Sequence, residues 1–431
     1  MDACDVVVVG GGLGGLVTAA QLARQGLGVM LLERASELGG RATTHEQDGY
    51  LFNEGAHALY RGGAAVRVLR ALGVRWTGRQ PPASGLAVLA DRTHTMPVTL
   101  GRLLRTGLTG WAGKLQGAQV MARLASIDTA ALAAVPWSEW AARAVPDAAM
   151  RAVLEMFVRV ATYANAPAVA SAGATLEQLR LAQGPGVEYL DGGWGTLVAG
   201  VAQVAETAGV RLQTGARVAC AVPDGGEAGG WRVTLHEGPP VRCRALVLAT
   251  GPATARSIVP SADLAAWAGR CVPAKAACLD VALTALPDPR ATFALGVDRP
   301  LYLSVHSQTA RIAPEGAALV STMKYLDPGQ PPEPARDLAE LEAWLDRLQP
   351  GWRERLVVRR FLPAMVASSA IVTASGAGAG GRPGPRVPDA PGVFVVGDWV
   401  AGEGMLLDAS LASADRAAAE IAGQLAVARV A

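Results

Sequence analysis

Three glycines and an acid carry the clearest chemistry in this chain. Gly10, Gly12 and Gly15 follow the pattern G-x-G-x-x-G directly after Val6-Val7-Val8-Val9, and Glu33 comes roughly 20 residues later, a spacing suited to binding a dinucleotide. Gly10 would make a tight turn, Gly12 would let a pyrophosphate approach the backbone, and Gly15 would let the next helix pack on the strand. The phosphates would sit at the helix N-terminus, at Leu13 and Gly14, where unpaired N–H groups and the helix dipole favour anions. Glu33 can accept from both ribose hydroxyls, and an acid there disfavours a 2′-phosphate.

These residues need a strand, a helix and a second strand to hold them. The four valines are too short a run for a helix and suit a buried parallel strand. Leu16 to Gln25 repeats apolar residues at helical spacing and stops at Gly26, a natural C-cap. Val29-Met30-Leu31-Leu32 then reads as the second strand, ending on Glu33. Val6 to Ala23 carries no charge, but its clustered glycines argue against a membrane span.

The next residues resemble a known family. Glu33-Arg34-Ala35-Ser36-Glu37-Leu38-Gly39-Gly40-Arg41-Ala42-Thr43-Thr44 is similar to the second fingerprint of the amine oxidase and phytoene desaturase superfamily of flavoproteins. The resemblance implies FAD as cofactor, with Gly40 and Arg41 along the diphosphate and flavin edge and Arg34 among the cofactor-binding residues. An arginine there offers a fixed fork of donors to phosphate. Pro391 to Trp399 resembles the family's C-terminal strand ending in Gly397-Asp398. By that resemblance Asp398 holds the ribityl chain or a phosphate-bound water. Gly404, Met405 and Leu406 would open a helix aimed at the flavin pyrimidine, where its dipole favours negative charge. Val210 to Val218 resembles the strand whose valine, Val218 here, meets the adenine. Ala245 to Gly251 resembles the strand and turn that close the FAD domain, placing Thr250 and Gly251 at the cofactor.

Asn53-Glu54-Gly55-Ala56-His57-Ala58-Leu59-Tyr60 resembles the G-x-H segment of carotene desaturases and squalene-associated desaturases, implying that Gly55, Ala56 and His57 pass close to the flavin. His57 can touch flavin or substrate and move protons near neutral pH, or it can be hydrogen-bonded within a turn. Lys275, in Val272 to Leu279, falls where amine oxidases place a lysine that holds a water at flavin N5; alternatively it faces solvent. Amine oxidases flank their amine with aromatic rings, whereas Met405-Leu406-Leu407 is aliphatic here, which favours an apolar substrate. Tyr60, Tyr302, Tyr325 and Leu362, with Phe361, Met365 and Val366, are candidates to line its channel, and core packing also explains them.

Composition sets the bounds. The 431 residues suffice for two domains with real cores. A net charge of +2 gives no argument for nucleic acid. Five cysteines, Cys4, Cys220, Cys243, Cys271 and Cys278, lack metal-ligand spacing, so no metal site is expected and a reducing cytoplasm is. Residues 92–127 contain no Asp or Glu but carry Arg92, Arg102, Arg105, Lys114 and Arg123 among leucines at helical spacing. This reads either as a basic amphipathic segment resting on anionic lipid at the inner face of the membrane, or as a lid helix with its charges in water. Five glycines between Gly101 and Gly117 weaken a free-standing helix.

The expected fold is α/β. A Rossmann-like FAD domain with a parallel sheet takes residues 1–80, 190–265 and 385–431. A discontinuous α+β substrate domain takes 81–189 and 266–384. Helices are expected across 100–182, broken at Pro136, Pro146 and Pro167, and strands at 277–285, 300–306 and 317–323, followed by a helix over 337–348. Residues 376–385 read as a flexible return connection. The expected function is dehydrogenation of a hydrophobic, isoprenoid-type small molecule by hydride transfer to flavin N5, with oxygen or a quinone as electron acceptor. The alternatives are an amine or amino-acid oxidase, a flavin-dependent double-bond reductase or isomerase, and a non-catalytic FAD-stabilised binding protein.

Overall fold

The computed structural model describes residues 2–225 and 229–430. Its first sheet is built around Asp2–Val9, flanked in parallel by Val29–Leu32 and Val241–Leu248. Arg211–Gln213 adds in parallel beyond Val29–Leu32. Val241–Leu248 serves two partners on its other edge. Its first half pairs antiparallel with Trp231–Leu235, which leads on to Val218–Pro223, and its second half pairs parallel with Val393–Val395. The valine run explains this geometry, because alternate residues of a strand face opposite ways. Val6 and Val8 pack with the helices Leu13–Arg24, Gly195–Thr207 and Leu406–Val430; Val7 and Val9 pack with Ala255, Ile258 and Trp399. A strand buried on both faces must be apolar throughout, as these four residues are.

The second sheet has seven strands. Their order is Leu356–Ser368, Ala274–Leu283, Ala318–Tyr325, Leu301–Ser304, Phe293–Gly296, Leu86–Leu89 and Arg92–Thr95. One face packs under the helix Pro334–Leu348 through Leu341, Trp344 and Leu345. The other packs on the helix Ala148–Thr162 through Met150, Val153 and Met156, and this apolar cluster reaches Ala56.

The helices expected across 100–182 form at Leu100–Arg105, Trp111–Arg123, Trp137–Ala144, Ala148–Thr162 and Ala172–Gln183. Two glycines expected to weaken the second of them have a packing role. Gly113 and Gly117 are buried where a Cβ would meet Asp147 Oδ1 at 2.6 Å and Met150 Sδ at 2.9 Å. Residues 376–385 carry a short 3-10 turn at Gly378–Gly381, and Arg382 binds backbone carbonyls of the chain that follows.

Candidate active site

A cavity of about 560 Å³ lies where the C-terminal ends of the parallel strands meet the second sheet. Gly10 turns the chain out of the first strand with φ +112°, and a Cβ there would lie 2.5 Å from the Ala249 carbonyl oxygen. Gly15 lets the helix close on the strand, since its Cβ would fall 2.0 Å from the Gly10 carbonyl oxygen. The helix begins after Gly12, which is extended and supplies no side-chain cap, so first-turn amides remain to receive an anion. Gly10, Gly12, Leu13 and Gly14 line the cavity; Gly15 packs beneath them. Glu33 and Arg34 line it too. The Gly11 amide donates to Glu33 Oε2 at 2.6 Å and the Ala35 amide to Oε1 at 2.8 Å, which fixes the carboxylate at the cavity edge. Val218, Thr250 and Gly251 complete this part of the wall.

Gly40 and Arg41, in the 3-10 turn Gly40–Ala42, meet Gly397 and Asp398 from the far end of the chain on the same cavity wall. Arg41 Nη1 donates to Asp398 Oδ2 at 2.7 Å, and the Ser369 amide donates to the same oxygen at 2.9 Å. Burial alone would raise the Asp398 carboxyl, but the Arg41 guanidinium and these hydrogen bonds outweigh it and hold the carboxyl below the usual range. Asp398 Oδ1 is buried without a protein partner. Asp398 also borders a chamber of about 20 Å³ with Thr162, Thr175, Ser368, Arg382, Met405 and Leu406, a space that suits one bridging water. Arg382 donates to the carbonyl oxygens of Asp398, Gly402 and Gly404. It thereby shapes the loop leading to Leu406, whose φ of +54° is strained for a branched side chain. Leu406 lines both spaces, Met405 only the chamber, and Gly404 neither.

The donors, the clamped acid and the buried carboxylate with a spare oxygen fit FAD. Gly10 to Gly15 would hold its diphosphate, Glu33 a ribose, and Arg41 with Asp398 the part nearer the flavin.

Ala56, His57, Ala58, Leu59, Tyr60, Tyr163, Trp194, Met365 and Val366 also line the cavity. His57 Nδ1 lies 2.9 Å from the Gly55 carbonyl oxygen. A carbonyl only accepts, so Nδ1 carries the proton and Nε2 is the basic nitrogen. Burial lowers the His57 pKa below its ordinary value, so the ring is neutral at pH 7. The His57 and Trp194 rings lie 4.7 Å apart. Tyr60 donates its hydroxyl to the Ala161 carbonyl at 2.8 Å, and burial pushes the phenols of Tyr60 and Tyr163 well above the ordinary tyrosine range.

Several residues singled out in the sequence stand back from the cavity. Tyr302 and Tyr325 are packed into the apolar cluster behind it, with Leu362 against them. Lys275 is half-buried on Ala274–Leu283, in register with the cavity-lining Val366, and is not itself part of the wall. Gly55 contributes its carbonyl to His57 rather than a surface.

Sequence reasoning passed over Trp194, Tyr163, Arg382 and Asp408. Trp194 stands in Gly192-Gly193-Trp194-Gly195, where the glycine cluster was a usable signal. Asp408 accepts the Ala65 amide at 2.8 Å and so caps the helix Ala64–Ala71 from outside it. Burial pushes its carboxyl up to about 6. The folded chain therefore holds this proton at a pH where the unfolded chain has released it. Stability from this group is full at pH below about 4 and falls as pH rises to 6, by on the order of 3 kcal/mol. Asp408→Asn keeps an acceptor for Ala65 and cannot ionise, so its unfolding free energy should vary less with pH over that window. Matched denaturant curves at several pH values test this, and parallel pH profiles for the two proteins would refute it.

Comparison with known proteins agrees with this architecture. A model of the flavin containing amine oxidoreductases matches residues 13–272, more than half of the chain. A limonene dehydrogenase component of Castellaniella defragrans is 51% identical over 57 residues, 13% of this chain and 10% of that protein. Carotenoid 3,4-desaturase of Haloarcula japonica is 55% identical over 51 residues, 12% of this chain and 10% of that protein. The similarity to these curated relatives thus spans about a tenth of their length. Over nearly the whole chain, a triple mutant of putrescine oxidase shares the fold at a TM-score of 0.77 with 16% identity, covering 98% of this chain and 99% of that one. The chain belongs to the flavin-containing amine oxidoreductases and is an FAD-dependent oxidoreductase.

Proposed function

We propose that the protein dehydrogenates a hydrophobic, isoprenoid-type small molecule. The observation that carries this reading is the apolar share of the cavity wall: Ala56, Ala58, Leu59, Met365, Val366 and Leu407 line it together with the neutral His57, beside the carboxyl groups of Glu54 and Asp408. The names of the two curated relatives, a limonene dehydrogenase component and a carotenoid desaturase, support an isoprenoid. Bound FAD supplies the hydride acceptor. His57 Nε2 takes the proton from the adjacent carbon, and the apolar wall excludes water. The substrate loses one hydride and one proton, and oxygen or a quinone finally takes the electrons. Residues 1–80, 190–265 and 385–431 would form the FAD domain, and 81–189 with 266–384 the substrate domain.

One observation favours an amine or amino-acid oxidase instead: the Asp408 carboxylate belongs to the cavity wall and could face an ammonium group. Anaerobic mixing of the holoenzyme with terpenes, polyenes and amines separates the two. Bleaching of the oxidised flavin spectrum by a terpene or polyene is expected. Bleaching by amines alone would overturn the dehydrogenase reading in favour of the oxidase.

A further inference from the structure

Four large apolar side chains stand out in water on one part of the molecule. Leu100 is 53% exposed, Leu104 44%, Trp111 74% and Leu115 62%. They form two pairs at i, i+4 spacing, on the helices Leu100–Arg105 and Trp111–Arg123, and residues four apart share a helix face. Lys114 joins the pairs: its Nζ donates to the Leu104 carbonyl at 2.8 Å and lies 5.0 Å from the Trp111 ring centroid. The opposite sides of the helices are fixed inward. Leu103 is buried in the apolar cluster beneath, and Gly113 and Gly117 sit tight against Asp147 and Met150. The exposed face is therefore held outward by packing.

The segment that carries this face has charge of one sign, although Asp147, at the start of the helix Ala148–Thr162, packs against Gly113 and accepts from Thr109. Between residues 92 and 127 there are five basic residues and no acidic one, and Arg92, Arg105 and Arg123 are exposed. Leucines and a tryptophan interleaved along the segment with arginine and lysine, with Lys114 against Trp111, suit the boundary of an anionic bilayer. There the apolar groups enter the headgroup region and the cations meet lipid phosphates. Among the described residues, no helix is long and apolar enough to cross a membrane, so contact through this face would be peripheral.

We propose that the face formed by Leu100, Leu104, Trp111 and Leu115 docks the protein on anionic lipid. The inference stands apart from the reaction assigned above. It also adds to it, since Leu103 and Leu108 of the same segment belong to the apolar cluster that extends to Ala56 and Met365 at the cavity wall. A substrate dissolved in lipid would then meet the molecule on this side.

The test is co-sedimentation of the holoprotein with vesicles of phosphatidylglycerol or of phosphatidylcholine. Two double variants accompany it, Trp111→Ser/Leu115→Ser and Arg105→Glu/Arg123→Glu, each checked for unchanged flavin content. Expected is binding to phosphatidylglycerol alone, reversed by salt, and weakened about tenfold or more in each variant, through lost apolar insertion in the first and lost attraction to the anionic surface in the second. The proposal falls if the holoprotein stays in solution with phosphatidylglycerol at low salt, or if both variants bind as the parent does. It falls equally if light scattering without lipid shows a dimer that the apolar variant dissolves, because a second copy would then cover the face.

Discussion

Gly15→Ala should leave the protein without bound flavin. The added Cβ would sit 2.0 Å from the Gly10 carbonyl oxygen and 3.0 Å from Ala249 Cβ. The first neighbour is backbone in the tight turn itself, so no side chain can swing away. The helix Leu13–Arg24 would have to back off the strand by more than an ångström, carrying the phosphate-facing amides with it. Alanine is the better helix former by about 1 kcal/mol, but overpacking of this severity costs about 1–3 kcal/mol or more, so the clash decides the sign. Gly12→Ala is the informative partner. Gly12 has an extended φ of −72°, and the nearest atom to its Cβ is the Gly39 carbonyl oxygen at 3.7 Å. The apo-protein should accept that alanine with little change in melting temperature while FAD binds at least about a hundredfold more weakly, roughly 3 kcal/mol, because the methyl occupies the approach of the diphosphate. Flavin titration of both apo-proteins, with their melting temperatures, checks the pair. Normal FAD affinity in Gly12→Ala would show that the diphosphate does not pass over this turn.

The contrast between those two glycines also shows what was legible beforehand. The cradle could be read because strand, turn, helix and acid lie within one short stretch, where spacing along the chain maps directly onto space. The Arg41–Asp398 pair joins residues 357 positions apart. Each could be placed at the cofactor by resemblance, yet nothing in either segment says that they bind one another. Trp194 had a local signal in its glycine cluster, but the contacts that position it had none. Its amide is held by Asn53 Oδ1 at 2.9 Å and the Gly195 amide by Thr44 Oγ1 at 2.8 Å, contacts that exist only once distant segments meet.

One long strand and one hairpin of the second sheet escaped for more local reasons. Leu356–Ser368 pairs with Ala274–Leu283 through three register shifts, and each shift breaks the period-2 alternation by which a strand is recognised. The hairpin Leu86–Leu89/Arg92–Thr95 turns at Ala90 and Asp91, both at positive φ. Alanine gives no sign of such a turn, whereas an Asn-Gly pair would have done so. Arg382 was hidden in a stretch so rich in glycine and proline that it read as a linker, although its three carbonyl contacts shape the entry to the last helix. The substrate-side tyrosines had the opposite fault. Buried tyrosines look alike in sequence whether they wall a cavity, as Tyr60 and Tyr163 do, or stand one layer behind it, as Tyr302 and Tyr325 do.

His57→Gln should slow reduction of the flavin by substrate by about 10²–10⁴-fold, the usual worth of a positioned general base. The geometry makes a specific demand on this result. With Nδ1 committed to the Gly55 carbonyl, only Nε2 can accept a proton, and it can do so only while the ring is neutral. Burial lowers the His57 pKa and outweighs the Gly55 and Arg41 backbone groups and the Glu54 carboxylate, which favour the charged ring; the Arg41 charge acts with burial. In the parent enzyme, activity should therefore hold from neutral pH down past the ordinary histidine value of about 6.5 and fall only below it, as protonation removes the base. Glutamine can keep a hydrogen bond to Gly55 but has no such titration. The variant should be slow at every pH and lack the acid limb, while retaining FAD. A histidine that only braces the turn would behave differently: its loss would weaken FAD binding or raise KM and leave the pH profile in place. Single-turnover flavin reduction across the acid range separates the two, and a variant that keeps both the parental rate and the acid limb would remove His57 from the chemistry.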